Sequence, residues 1–424
     1  MNYVKPPPLS PEEVNSWIRE IDTLLSLRLN VTDYDKIPPQ LRDFSISSGR
    51  ATFRVKDEFE VDLTIADEDC DAQLWFIDFR FAFAPAANTL PDSVRSYLEL
   101  FANKALEDDG LVGCYNFLHE FVLTHKINEL KRQAIALARG IWAKSLWVEP
   151  LQRALAIQYW ASQFPPEAKA PKHWLLIGVD SGQADINQPD PAVSSRLVVK
   201  WYRDGKEVPG ADIRLDLGNL SVEEMLRDVV NKHIYYILSS IHAKFAATAR
   251  IKTMEPGGDL FLSPPATMPE DNMAFSIRAG PEDRITVVVE PISGRIKLLP
   301  QNSLFTPINR RISMCINPAE RLMEPIEHAR WRYIHDDMSR RSSSCGWFQS
   351  RPPLPTDMIR TELKFRSPYC TRFFRRRGWH PSWFLLSLLS TSEDGWWVGQ
   401  VSVQLRPCFI LSLSCCVDSL TNGL

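Results

Sequence analysis

The sequence predicts an α+β protein: tandem modules of antiparallel β-meander sheets alternating with amphipathic helices. Three observations predict it. Capped helix starts recur at Ser10-Pro11-Glu12-Glu13, Ser221-Val222-Glu223-Glu224 and Asn317-Pro318-Ala319-Glu320. Each has a side-chain oxygen at the cap and a Glu three residues on, able to reach back to the cap's N–H. Two also carry Pro at the first helical position, where a missing N–H costs nothing. Between the starts lie short alternating runs bounded by turn residues, and strands and helices are segregated along the chain, which argues against a parallel βαβ layout.

The elements follow in order. Residues 1–9 (MNYVKPPPL) form an extended proline-rich lead-in. A helix over residues 10–29 carries Val14, Trp17, Ile18, Ile21, Leu24, Leu25 and Leu29 on one stripe. Strands are expected at 44–47, 51–56 and 59–65, joined by turns at Ser48-Gly49-Arg50 and Lys56-Asp57-Glu58. A fourth, aromatic strand at 73–83 opposes Leu74, Phe76, Asp78 and Arg80 to Trp75, Ile77, Phe79 and Phe81. Two long helices follow, one lined by Val94, Leu98, Phe101 and Ala105, the other by Leu118, Phe121, Val122, Leu130, Ala134 and Leu137 up to Gly140. A second sheet takes residues 145–148, 154–160, 174–179 and 196–203, closed by a helix at 222–248. A third starts near Asp259, contains 274–278 and 285–290, and turns at Ser293-Gly294-Arg295 as at residues 48–50. The last helix runs from Asn317 to about Met338, with Pro325 expected to kink it.

With 424 residues the chain has room for two to four domains at ~150 residues each. Proline pairs mark seams, and the expected modules are 1–9 (lead-in), 10–140, 141–250, 251–340, a basic aromatic β segment at 341–400 and an atypical tail at 401–424. The composition, 44% hydrophobic and 24% charged, is that of a folded domain. The longest apolar runs, 383–389 and 409–417, fall well short of the ~20 residues a membrane span needs. Eight cysteines without a CxxC read as free thiols, and the expectation is a soluble intracellular protein. Charge is uneven: residues 330–380 hold twelve Lys/Arg against four Asp/Glu, on an otherwise acidic chain. Such a stretch suits a negative partner.

No catalytic constellation assembles. His119 and His125 are six apart, and the zinc-helix motif needs ligands four apart on one face. They read as structural histidines. Asp67-Glu68-Asp69 and Asp71 lack the Gly of a calcium loop, position six being Ala72, and read as a solvated turn. GxxxxGK[ST], GxGxxG and GxSxG do not occur. Lys5-Pro6-Pro7-Pro8 and Arg351-Pro352-Pro353-Leu354-Pro355 have the form of polyproline ligands, although connectors are the commoner use. The segment with Arg372, Phe373, Phe374, Arg375, Arg376, Arg377 and Trp379 interleaves guanidinium and aromatic groups. Three uses stay open for it: nucleic acid, an acidic protein, or a charge-protected strand edge. No cofactor, metal or small-molecule substrate is expected.

Several long strings resemble the fungal form of subunit 14 of the Mediator complex. They are PPPLSPEEV (6–14), LLSLRLN (24–30), RATFRVKDEFEVDLTIADED (50–69), QLWFIDFRFAFAP (73–85), GCYNFLHEFVLTHKINELKRQAIALARG (113–140) and TRFFRRRGWHPSWFLLSLLST (371–391). The resemblance implies a nuclear, non-enzymatic scaffold that links the head, middle and tail modules of Mediator and relays activator signals to RNA polymerase II, which it meets indirectly. It implies that strand 73–83, with Trp75 and Phe79, and helix 113–139 are partly partner-facing, and that the fragment is poorly soluble alone. Relative to that family the chain lacks an N-terminal helical domain, and residues after about Val401 depart from it as a truncated or mis-spliced reading frame would. The rival reading is a nucleic-acid-binding protein using residues 360–380.

Overall fold

A computed structural model describes residues 10–412 apart from 70, 87–88, 165–169, 183–193, 248–259, 265–272, 280–282, 302–304, 313–320, 352–369, 390–393 and 402–406. The chain divides into two compact units: residues 1–162 with 171–229, and residues 163–170 with 230–424. The described residues contain four antiparallel sheets and five helices, the α+β arrangement the sequence predicts.

The first unit opens with α1 (Pro11–Leu27). Ser10 Oγ accepts from the Glu13 N–H at 3.3 Å and Glu13 Oε2 accepts from the Ser10 N–H at 2.8 Å, a complete capping box. Packing is confined to the C-terminal end of α1 and the turn after it: Leu25 and, beyond the helix, Leu29 are buried, Val14 and Trp17 are not. Four strands then pair in chain order, β1 (Phe44–Ser47), β2 (Arg50–Val55), β3 (Phe59–Ile65) and β4 (Leu74–Phe81). Ser48 and Gly49, both at positive φ, make the two-residue hairpin between β1 and β2. Asp22 Oδ1 accepts from the Gly49 N–H at 2.8 Å and ties α1 to that turn.

Strand β4 departs from strict alternation. A bulge between Asp62 and Leu63 pairs Leu63 with Phe76 and Asp62 with Asp78, so Ile77 has no partner. Faces switch there. Leu74, Phe76 and Phe79 are buried, whereas Trp75 and Ile77 are exposed.

Segment α2 (Asp92–Arg139) is two helices that meet at Gly110, whose φ of 61° and ψ of −143° are non-helical. The rings of Phe101 and Phe117 lie 6.1 Å apart. Sixteen residues of straight helix would separate them by ~24 Å. The chain therefore folds back at Gly110, and a Cβ on Gly113 would stand 2.6 Å from the Ala105 carbonyl oxygen. A second meander follows: β5 (Leu146–Leu151), β6 (Ala154–Tyr159), β7 (His173–Asp180), β8 (Arg196–Arg203) and a two-residue β9 (Lys206–Glu207). Helix α3 (Val222–Ala246) starts in this unit, Ser221 Oγ accepting from the Glu224 N–H at 3.2 Å.

The second unit holds the rest of α3 and a sheet of β10 (Leu260–Leu262), β11 (Ala274–Arg278), β12 (Arg284–Val289) and β13 (Ile296–Leu299). The turn before β13 is not a copy of residues 48–49. Glu290 N–H donates to Arg295 O at 2.9 Å and Gly294 N–H to Glu290 O at 2.8 Å, a wider loop. Helix α4 (Thr306–Ile312) precedes α5 (Met323–Ser344). Pro325 lies in the first turn of α5, where its missing N–H costs nothing, and a bend at Leu322 separates α5 from the helical residue Arg321, the interruption expected near this proline. The expected cap at Asn317 lies outside the described residues. The last sheet is β14 (Trp347–Gln349), β15 (Cys370–Arg376), β16 (Trp383–Leu389), β17 (Asp394–Val401) and β18 (Pro407–Ser412). No helix among the described residues is long and apolar enough to cross a membrane.

Candidate partner-contact surfaces

The inner side of the first unit is stitched by polar side chains of α2 at heptad spacing, which puts them on one stripe. His119 is buried, Nδ1 lying 2.7 Å from Glu58 Oε2 and Nε2 2.7 Å from the Ser195 carbonyl. Burial works against the imidazolium, but the Glu58 hydrogen bond and charge prevail and raise the His119 pKa. Lys126, also buried, donates to the carbonyls of Asp57 at 2.8 Å and Leu217 at 3.0 Å and sits over the Phe83 ring. Burial lowers its pKa against the pull of Glu58, Asp57 and Asp216. Gln133 donates to Leu220 O and accepts from the Val222 N–H, each at 3.0 Å. The turn at residues 56–58, read from sequence as a plain hairpin tip, is thus a junction.

The outer face of the first sheet carries a charge cluster. Asp62 is buried and takes Arg80 Nη2 at 2.9 Å, Arg50 Nη1 at 3.0 Å and Thr52 Oγ1 at 2.8 Å. Burial pushes its pKa up, and these hydrogen bonds outweigh that and hold it below the usual carboxylate value. Arg80 also reaches Asp78 at 3.0 Å and Glu60 at 3.4 Å. Asp78 and Asp62 are cross-strand partners, so Arg80 separates two carboxylates that would otherwise repel.

Of the residues expected at a partner surface in this unit, Trp75 is 41% exposed and qualifies by position. Phe79 is 4% exposed. The bulge turns it inward, where it packs on Phe59, Phe81 and Phe121 at 5.1–5.8 Å, and it is withdrawn as a surface residue. Of the 29 residues 111–139 of α2, eleven are buried and the rest are half-buried or exposed. The uncovered apolar groups lie on the other arm of that hairpin and elsewhere: Tyr97, Leu100 (67% exposed), Phe101, Trp17 and Trp147 (64%). Tyr97 and Phe101 stack near each other and Phe117 with ring centroids 4.6–6.1 Å apart. The signal for them was present: 97, 100, 101 form an apolar i, i+3, i+4 set beside the Leu98–Ala102–Leu106 set.

In the second unit the structure separates the basic aromatic residues. Phe373 and Phe374, adjacent in β15, are both buried because both faces of the sheet are covered. Phe373 meets Phe384 at 5.5 Å on one face and Phe374 meets Trp396 at 6.4 Å on the other. Neither offers a ring for stacking bases, so both leave the proposed surface. Arg372 turns toward α5, its Nη2 3.0 Å from His335 Nδ1, and Arg375 has its Nε buried. Arg376 is exposed beside Trp347, whose ring is 5.0 Å from that of Trp379, and Arg377 is exposed at the turn. Arg376, Arg377 and Trp379 remain together at one end of the sheet.

The other motifs resolve simply. Asp67 and Asp69 accept from backbone N–H groups two residues on, as in a polar turn. His125 stacks on Phe81 at 4.3 Å, and burial lowers its pKa. Among the described residues no three His, Cys, Asp or Glu side chains converge as a metal site. Cys114 is free and buried, its thiol pushed up to about 12 by burial. Such a thiol is inert.

Residues 1–67 match the family described as Mediator complex subunit MED14, and residues 248–338 match the fungal Med14 domain. Along 400 residues, 94% of the chain, it is 41% identical to Mediator of RNA polymerase II transcription subunit 14 of Pyricularia oryzae. The chain is a homologue of fungal Mediator subunit 14. The Neurospora crassa and Chaetomium globosum subunits are 37% and 36% identical over 95% and 94% of it. The chain spans about a third of the length of these Mediator subunit 14 relatives, covering 36%, 32% and 34% of them. Similarity runs through both units, so the α2 junction and the last sheet alike belong to the region shared with them.

Proposed function

We propose that this chain acts as a non-enzymatic scaffold in the Mediator complex, in the nucleus. It joins subunits of the head, middle and tail modules so that activator signals reach RNA polymerase II. The observation that carries this reading is the 41% identity sustained over 94% of the chain. The physical character of the first unit supports it: bare aromatic groups at Trp17, Trp75, Tyr97, Phe101 and Trp147 lie on a body tied internally by buried polar stitches. Exposed apolar groups rimmed by charge are what a protein contact needs.

Affinity purification of the tagged native chain from nuclei, with partners identified by mass spectrometry, tests the reading. Recovery of many Mediator subunits with polymerase II is the expected result. Recovery of the chain alone or with chaperones would overturn it. The nucleic-acid reading loses its main support, since Phe373 and Phe374 face inward.

A further inference from the structure

The first arm of the α2 hairpin, residues 92–109, leaves a row of large apolar groups uncovered. Tyr97, Leu100 and Phe101 are 46%, 67% and 41% exposed. At i, i+3 and i+4 they share one face of the helix, beside the buried face of Leu98, Ala102 and Leu106. Phe117 of the second arm joins them, its ring 6.1 Å from those of Tyr97 and Phe101. Two antiparallel helices thus contribute to one apolar strip, and the ridge of a third helix fits a groove of that kind.

The charge at one end of the strip has a single sign. The second arm runs parallel to β4, Phe121 meeting Phe79 and Phe81, and His125 meeting Phe81 and Phe83. Asn103 Oδ1 on the first arm accepts from the Phe76 N–H at 2.9 Å. The path from Asn103 to the hairpin tip therefore leads toward the start of β4 and the turn before it. The tip carries Glu107, Asp108 and Asp109, and the turn carries Asp67, Glu68, Asp69 and Asp71. No Lys or Arg stands within residues 66–73 or 105–110. All seven carboxylates are exposed, and none is in an ion pair among the described residues. Glu107 and Asp108 continue the stripe of Tyr97 and Leu100, on which Lys104 is the one base.

We propose that this strip docks an amphipathic helix of a protein partner, apolar along one face and basic where it meets the hairpin tip. From Tyr97 to Asp109 the strip is ~18 Å long, enough for about three turns of such a helix. Charge selects the occupant. Nucleic acid is repelled by the acidic tip, and a second copy would set this acidic unit against itself. The contact rests on the scaffold reading and gives one of its surfaces a partner of stated chemistry.

The test puts the photo-cross-linking residue p-benzoylphenylalanine in place of Leu100 in the tagged full chain, purified from nuclei after irradiation, with the cross-linked peptide mapped by mass spectrometry. The same probe in place of the exposed Lys206 is the control. The expected peptide belongs to another subunit, has apolar residues at helical spacing and carries a basic excess of about three over about 15 residues. Tyr97→Ala should cut the cross-link yield about tenfold, as loss of an aromatic anchor implies. Glu107→Gln, Asp108→Asn and Asp109→Asn together should cut it about threefold. If Tyr97→Ala loosens the hairpin, the three amide substitutions, all at exposed positions, decide. No cross-link, an acidic peptide, a peptide of this chain, equal yield from the control, or a yield unmoved by the amides would overturn the proposal. Such a failure with Mediator subunits still co-purifying leaves the scaffold reading standing. If no subunit co-purifies, both fall.

Discussion

Strands β4 and β15 are built from the same ingredients, aromatic residues beside arginines, and the fold uses them in opposite ways. In β4 a bulge aims Phe79 inward while Arg80 is embraced by Asp62, Asp78 and Glu60. In β15 both phenylalanines are buried, and neither Arg372 nor Arg375 forms a carboxylate bridge among the described residues. The difference extends to whole units. The first holds 34 Asp/Glu against 24 Lys/Arg, a formal charge of −10, and the second 18 against 25, or +7. An arginine's role is therefore set by the acids within its reach, on its own strand and on the neighbouring ones.

The sharpest way to break this comparison is to remove the acid that β15 lacks. Asp62→Ala removes the buried carboxylate that Arg80, Arg50 and Thr52 share and should destabilise the first unit by about 2 kcal/mol in urea unfolding, since both arginines stay in contact with water and Arg80 keeps Asp78 and Glu60. A loss below about 1 kcal/mol would mean the cluster is solvated and the contrast with β15 is false.

Acid should separate the units next. His173 is buried, accepts from the Asp204 N–H at 3.1 Å, and is lowered to about 4 by burial foremost. Its neutral form is the folded one, so its contribution is present above ~6.5 and lost as pH falls toward 4. His119, raised, contributes fully below ~6.5 and fades as pH climbs through its folded value. Glu327 in the second unit is raised by burial, so ionisation above ~4.5 weakens that unit and acid relieves it. Hydrogen exchange followed from pH 7 to 5 should show the first unit opening more and the second less. His173→Gln should flatten the first unit's acid response, and His119→Gln its loss at higher pH.

Gly113→Ala should cost about 2 kcal/mol, since its Cβ would press on the Ala105 carbonyl and part the α2 hairpin. Circular dichroism melting and the fluorescence of nearby aromatic residues would report it. The smallest effect is expected at β15: Arg372→Met should change stability by less than about 1 kcal/mol, because Arg372 is half-buried and forms no carboxylate bridge among the described residues. A loss comparable to that of Asp62→Ala would erase the distinction.

Much of the fold was legible. The capping box at Ser10, the Ser48-Gly49 hairpin and the four-strand meander stand within a residue or two of where periodicity places them. Gly110 breaks α2 where the two apolar stripes change phase. What failed did so for tertiary reasons. Alternation along β4 cannot reveal a bulge that depends on β3, so Phe79 was assigned to the wrong face. Two adjacent phenylalanines read as half exposed until a sheet is covered on both sides. The junction at Asp57 and Glu58 was hidden because His119 and Lys126 reach it from more than 60 residues away.

That junction carries a consequence for how such a chain tolerates change. Of the seven hydrogen bonds made by His119, Lys126 and Gln133, five end on main-chain atoms; the side chains that answer are Glu58 and, within α2 itself, Glu129. Residue identity in the stitched loops is therefore free to drift while their length and path are not. An inserted residue near Ser195 or Leu217 would cost more than nearly any substitution there, and the three anchors on α2 should prove harder to replace than the loops they hold.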